Sequence, residues 1–423
     1  MRSNTAIYKG HIVHAPKLGE LTCLQEGYLV CEDGRIAGLY DVLPERFSGA
    51  DVEDFGDKLI IPSFSDLHLH APQYAMLGMG MDLQLLEWLN TYTFPTEAAF
   101  RDTAYARKVY RKLAEELIRL GTTRVCIFAT IHRESTLVLM EELSRAGVTG
   151  YVGKVNMDRN SPDYLRETAE ESICETERFL SESAGRFPHL KPIITPRFTP
   201  SCTDELMRSL GDIARTNGVR VQSHLSENTD EVAWVKSLRP DCEQYWESYD
   251  TCGLFNEGAV MAHCVYSDKR ERAAMRERGV WAAHCPDSNI NIASGVAPVR
   301  LMLQEGLHVG LGSDIAGGAQ LCMMDVATAA IRASKRRWLD SGKSEPFLTV
   351  AEAFYLATSA EYFGAGPGFQ AGDALHALVV DDSSLLDARR LTLPQRLERM
   401  MYRFEHCRIT ARFSEGRRLP CAE

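Results

Sequence analysis

The feature that most constrains this chain is a rhythm. From residue 60 to residue 315, short runs of β-branched and small apolar residues alternate with longer amphipathic stretches. The runs are SFSDLHLH, TTRVCIFAT, VTGYVGKV, KPIITPRF, GVRVQSHL, GAVMAHCV, GVWAAHCP and LHVGLGSD. Helical patterns such as ARKVYRKLAEELIRLG, STLVLMEELSRAG and DKRERAAMRERG lie between most of them, and these end in Gly, which suits a helix stop. Eight strand candidates separated by helices predict an α/β fold, a (β/α)8 TIM-like barrel.

The two ends of the chain read differently. TAIYKGHIVHAP, GYLVCEDGRIAGLYD and KLIIPSF alternate with the period of strands, as do ALHALVVDD and YRFEHCRITARF near the C-terminus. They predict a small composite domain, a β-sandwich built from residues 1–60 and 370–423, beside a barrel over residues 61–369. A chain of 423 residues has room for both. A net charge of −11 gives no electrostatic reason to hold nucleic acid. No apolar run approaches the ~20 residues of a membrane helix. The opening MRSNTAIYKG lacks the apolar stretch of a secretory signal. Twelve scattered cysteines without a C-x-x-C pair read as reduced thiols, so the expected location is cytoplasmic.

Polar residues then fall at repeated places. His68 and His70 end the first strand candidate, His224 the fifth, His263 the sixth, His284 the seventh and Asp314 the eighth. The C-terminal ends of strands are where barrels carry chemistry. Residues i and i+2 of a strand face the same way, so His68 and His70 project together. Imidazole nitrogen and carboxylate oxygen suit Zn²⁺ or Fe²⁺ at about 2.0–2.2 Å. The set His68, His70, His224 and Asp314 leaves one position for a water, which such an ion acidifies towards a pKa of ~7. A single strand-end histidine is more often a structural hydrogen-bonding residue; the repetition at one end of successive strands is what favours a metal. For His284, direct contact and a supporting place behind the ligands stay equally open. His11, His14, His132, His189, His308, His376 and His406 have no such placement and default to structural or surface roles.

Glu227, in HLSEN, is either a first-turn helix carboxylate facing solvent or a proton shuttle beside the activated water; its place next to a ligand favours the shuttle. Arg197 and Phe198, in TPRFTP, could read a carbonyl and stack on a flat ring, or form a loop ion pair and a core contact. Gln73 could make a two-point contact with an amide-like edge, or be an ordinary loop residue. A second metal would need a bridging modified lysine. The fourth strand candidate ends in Arg197, and Lys154 belongs to the third, so one metal is expected.

The stretch HLHAPQYAMLGMGMDLQLLEWLNTYTFPTE, His68 to Glu97, together with GKVNMD, TPRFTPSC, QSHLSEN, MAHC, AHCPDSN and GLGSDIAGG in order, resembles the amidohydrolase superfamily and, within it, the guanine deaminases. That resemblance implies hydrolytic deamination of guanine to xanthine and ammonia by a metal-activated hydroxide, in purine catabolism or salvage. It implies one zinc per chain, with Fe²⁺ the alternative, held by His68, His70, His224 and Asp314. It further implies proton movement by Glu227 and Asp314, and polarisation or orientation of the substrate by His263. Guanine contacts by Gln73, Arg197 and Phe198, a pocket closed by Trp88, and a homodimer also follow from it. Ser65, Leu67 and the SGVAP stretch depart from the pattern without touching a proposed ligand. Rival readings are a deaminase of a related purine, pyrimidine or triazine, a two-metal cyclic amidase, and a non-enzymatic scaffold on the same fold. Filled ligand positions argue against the scaffold. The small zinc deaminase fold needs P-C-x-x-C, which does not occur.

Overall fold

Each of the eight runs forms strand in the computed structural model, which describes residues 4–387 and 390–420. Phe64–His70, Thr122–Phe128, Thr149–Gly153 and Leu190–Pro192 form one parallel sheet in that order. Gln222–Leu225, Val260–His263, Trp281–His284 and His308–Leu311 form a second. The ladder is thus two parallel sheets of four, not one ring of eight. The interruption has a local cause in KPIITPRF. Pro192 and Pro196 have no N–H to give a ladder, and the run survives only as Leu190–Pro192 and Thr195–Pro196. Single contacts join the sheets on both sides. Ile194 bridges Val221, with Ile194 N–H to Arg220 O at 2.9 Å and Gln222 N–H to Ile194 O at 2.9 Å. On the far side Asp314 N–H reaches His68 O at 2.8 Å, and His70 N–H reaches Ile315 O at 3.2 Å.

The helices between strands follow from spacing and caps. In Thr103–Arg119 the buried residues are Ala106, Tyr110, Leu113, Ala114, Leu117 and Ile118, an i, i+4, i+7, i+8 stripe. Asp102 starts this helix by accepting from Ala104 N–H at 2.8 Å and Tyr105 N–H at 3.3 Å. Full burial of each large aliphatic side chain contributes about 1.5–3 kcal/mol. Leu113→Ala would therefore break this contact most directly, at about 2–5 kcal/mol. Helices Arg133–Ala146 and Lys269–Arg278 stop at Gly147 and Gly279, both left-handed, with φ of 84° and 67°. A Cβ at Gly147 would also lie 2.6 Å from Leu419. No helix among the described residues is long and apolar enough to cross a membrane.

Strands from both ends meet in one seven-stranded sheet. Its order is Arg417–Arg418, Arg408–Ser414, Ala377–Asp381, Val52–Pro62, Thr5–Lys17, Glu20–Glu32, Arg35–Tyr40. Only Thr5–Lys17 against Val52–Pro62 is parallel. The sequence suggested a sandwich; the ladder is one sheet with two different faces. Ile60, Ala377 and Val379 enter a core with Ile12, Leu29 and Phe413, whereas Leu59, Ile61, Leu378 and Val380 pack into the core of the larger α/β unit. That strict alternation is the two-residue period of the strands at work.

Candidate functional site

The strand Phe64–His70, which carries Asp66, His68 and His70, has an irregularity that falls between Asp66 and Leu69. Asp66 is fully buried and accepts from Ser313 N–H at 3.0 Å, Ser313 O–H at 2.5 Å and His68 N–H at 3.2 Å. These bonds tie the end of the first strand to Ser313, next to Asp314. Burial pushes the Asp66 carboxyl up to about 6, against those hydrogen bonds. At two other strand ends the chain turns sharply. His263 and Asp314 carry left-handed φ of 72° and 46°, a conformation that L residues hold only where the surroundings enforce it.

The proposed ligand atoms converge. His68 Nε2 lies 3.2 Å from Asp314 Oδ1, and His70 Nε2 lies 3.6 Å from the same oxygen. His70 Nε2 and His224 Nε2 are 3.1 Å apart. His224 Nδ1 faces Arg197 O at 2.6 Å, and a carbonyl only accepts, so Nδ1 carries the proton. Its Nε2 is therefore a bare lone pair aimed at His70. Both nitrogens of His68 and Nδ1 of His70 are buried with no hydrogen-bond partner among the described residues. Buried imidazoles without partners are costly unless something fills the gap. One tautomer locked from behind by a carbonyl, several free nitrogens and one carboxylate are the donor set of a transition-metal ion. The residues fit such an ion.

Charge follows the same arrangement. Burial lowers the His70 and His224 imidazoles well below their usual range, with the neighbouring His68 adding to the effect. They are thus neutral, as ligands must be. Burial would raise Asp314, but the surrounding imidazoles, His68 first, then His263 and His70, outweigh it and hold its carboxyl well below the usual carboxylate range. Glu227 is pushed the other way, up to about 8, first by burial and then by the Asp314 charge.

One cavity brings the remaining candidates together: Gln73, Trp88, Arg197, Phe198, Glu227 and His263 all line it. His70, His224 and Asp314 form its floor, and Leu85, Leu89 and Ile292 add apolar walls that no motif or spacing singles out. Glu227 Oε2 is 3.5 Å from His263 Nε2, and Asp314 Oδ2 is 3.7 Å from it. Asn289 Oδ1 lies 2.8 Å from His263 Nδ1, and Ser294 O–H reaches Glu227 Oε1 at 3.3 Å. Trp88 donates its indole N–H to Met79 O at 3.0 Å, which fixes the ring that lines the pocket.

His284 is buried, with neither nitrogen hydrogen-bonded among the described residues, and its neighbour Cys285 is the residue that groups with His68, His263 and Asp314. Lys154 is committed elsewhere, 2.7 Å from Glu167 Oε2. Among the other histidines, His376 bonds Thr123 Oγ1 at 2.9 Å and faces Glu415 at 3.2 Å, an internal structural place.

Residues 59–365 match the amidohydrolase family. This chain belongs to that family. Amidohydrolases are metal-dependent, and the His/Asp cluster of this amidohydrolase is where its ion would sit. The chain is similar to the guanine deaminase of Dictyostelium discoideum, 40% identical over 378 residues, covering 85% of this chain and 84% of that one. It is also similar to the guanine deaminase of Homo sapiens, 39% identical over 364 residues, with 83% and 80% covered. Among solved structures it resembles the guanine deaminase from C. acetobutylicum, which has guanine bound in its active site. The TM-score is 0.96, with 43% identity and 99% and 100% of the two chains covered.

Proposed function

We propose that this amidohydrolase deaminates guanine hydrolytically to xanthine and ammonia. The observation that carries the reading is the meeting of two chemistries in one cavity. Glu227 and Asp314, carboxylates of opposite protonation, stand beside the histidine cluster; Gln73, Arg197 and Phe198 face them in a chain that is guanine-deaminase-like over most of its length.

His68, His70, His224 and Asp314 would hold a single ion, zinc by our reading with Fe²⁺ the alternative. When bound, that ion lowers the pKa of a water so that hydroxide is present near neutral pH. The rest is carried by the protein. Glu227, protonated near neutral pH, delivers a proton to the ring nitrogen beside C2, which makes C2 electrophilic. Asp314 accepts the proton that remains on the attacking oxygen. The proton taken up by Asp314 then passes, through the emptied Glu227, to the C2 amino group, and ammonia leaves. His263 sits against both carboxylates and orients the base. Arg197 reads the purine carbonyl, Gln73 the adjoining lactam edge, and Phe198 with Trp88 encloses the ring. Adenine offers an amino group where Arg197 needs an acceptor, and a buried guanidinium N–H left without one penalises it. His284 supports the cluster from behind.

We further infer that the two parallel sheets close into one eight-stranded barrel over residues 61–369. The terminal sheet would then curl into a sandwich-like domain from 1–60 and 370–423. The separate core of Ile12, Leu29 and Phe413 supports that curl. A cytoplasmic homodimer, with neither nucleic acid nor membrane as partner, completes the reading. Incubating metal-analysed protein with guanine and following xanthine and ammonia tests it. Equal or faster ammonia release from adenine, cytosine or a triazine would replace guanine as the substrate.

A further inference from the structure

Glu97 is a buried carboxylate that the mechanism above does not use. It lies on the short helix Phe94–Ala98, directly after a π-helical turn, Leu89–Thr93. Its Oε1 accepts from Gln73 Nε2 at 3.0 Å and its Oε2 accepts from Arg197 Nη1 at 2.7 Å. Phe94, one turn earlier on the same helix face, places its ring 5.4 Å from the Arg197 guanidinium carbon. One helical turn therefore grips Arg197 from two sides and Gln73 from one.

The grip has a consequence for Gln73. Its Oε1 accepts from Ala316 N–H at 3.1 Å. A backbone N–H can only donate and a carboxylate can only accept. Turning the Gln73 amide over would set oxygen against carboxylate and NH2 against N–H, so only one orientation is possible. One amide N–H and one oxygen lone pair stay uncommitted. A lactam edge, a carbonyl beside a ring N–H, is their complement. An aminopurine edge presents the same two groups in reversed order, and a freely turning glutamine would accept either.

We propose that Glu97 is a positioning residue that sets base selectivity: by fixing the amide of Gln73 and the guanidinium of Arg197 together, it makes the pocket read a lactam edge and refuse the reversed one. This rests on the guanine reading above. The probe is 2,6-diaminopurine, which keeps the amino group at C2 and reverses the adjoining edge.

In the metal-loaded full-length enzyme, Glu97→Gln is expected to lower the guanine to 2,6-diaminopurine ratio of kcat/KM by about 10- to 100-fold, chiefly through KM. Metal content stays at the parental level. A merely structural defect lowers both substrates equally and leaves the ratio alone, which overturns the proposal. In a Gln73→Ala background, Glu97→Gln should move the ratio less than it does in the parent, because part of its effect runs through Gln73; fully independent, multiplying effects also overturn it. Glu97→Asp keeps the charge one methylene short and is read in the same assay. If neither Glu97 variant gives folded, metal-loaded protein, Glu97 belongs to the scaffold and the proposal falls. A parent enzyme that releases no ammonia from guanine defeats the functional reading and this inference with it. Parental turnover with an unchanged ratio in Glu97→Gln defeats the inference alone.

Discussion

The two halves of the cavity are built on opposite principles. On the floor and next to it, His70 and His68 present buried nitrogens with no hydrogen-bond partner among the described residues, and His224 turns a bare Nε2 inward. On the wall, Gln73, Glu97 and Arg197 are bonded to one another and to Ala316. An unsatisfied cluster is costly until a guest arrives, whereas a satisfied one is rigid before the guest arrives. The difference separates what the protein must acquire from what it already possesses. It also separates catalysis from recognition, since perturbing the floor should remove turnover and perturbing the wall should alter choice of base.

The largest effect should come from emptying the floor. Chelation is expected to abolish xanthine formation and to lower Tm, with both restored by Zn²⁺. A ligand present at a hundredfold excess over Kd contributes about 2.7 kcal/mol of stability. A chelator-treated protein that keeps its Tm and its turnover would mean the histidines need no guest. Next, Glu227→Gln should retain the metal and lose about 10²- to 10⁴-fold in kcat, the usual value of a positioned acid–base group. Near-parental kcat would remove Glu227 from proton transfer. Arg197→Ala strikes the wall: guanine kcat/KM should fall by about 10- to 100-fold, with metal content unchanged. His224 leans on the backbone carbonyl of Arg197, not its side chain, so the ligand survives the substitution. Loss of metal in this variant would dissolve the distinction between floor and wall.

The smallest effect concerns pH and lies behind the floor. Glu231 is buried and accepts from Tyr245 O–H at 2.6 Å, Glu227 N–H at 2.9 Å and Asn228 N–H at 3.2 Å. Burial, then the Glu227 charge, pushes it from 4.5 up to about 7. A carboxyl raised on folding favours the folded protein below its unfolded pKa. That contribution is lost as pH climbs through the window from 4.5 to about 7. Glu231→Gln cannot ionise, so relative to the parent it should gain about 1–3 kcal/mol between pH 5 and pH 8. Denaturant melts at the two pH values check this; parallel curves for both proteins would show that Glu231 titrates normally.

Much of this was legible in the residues. All eight runs contain strand because β-branched composition and flanking glycines are local signals, and the helix stops at Gly147 and Gly279 fall where the sequence put them. The cluster was legible because strand period and strand order alone bring His68, His70, His224 and Asp314 to one end. KPIITPRF was over-read as a continuous strand, since its prolines cost ladder bonds that composition does not register. Glu97 carries no sequence signal: an acidic residue in a short helix looks like a solvated one, and only the approach of Arg197, 100 residues away, makes it internal. Asn289 and Ser294 were missed for the same reason. Their partners, His263 and Glu227, are fixed by tertiary packing that no spacing rule encodes.

The sheet shared by the two ends has a consequence for biosynthesis. Ile61 pairs with Leu378 and Ile60 with Val379, so Val52–Pro62 waits for a partner strand made much later in translation. Until then, Val52–Pro62 has an unpaired flank, the kind of bare hydrogen-bonding edge on which neighbouring nascent chains stick. A pause in translation anywhere between Val52–Pro62 and Ala377–Asp381 would therefore lengthen that exposure and lower yield, whereas an equal pause after Ala377–Asp381 has emerged would not.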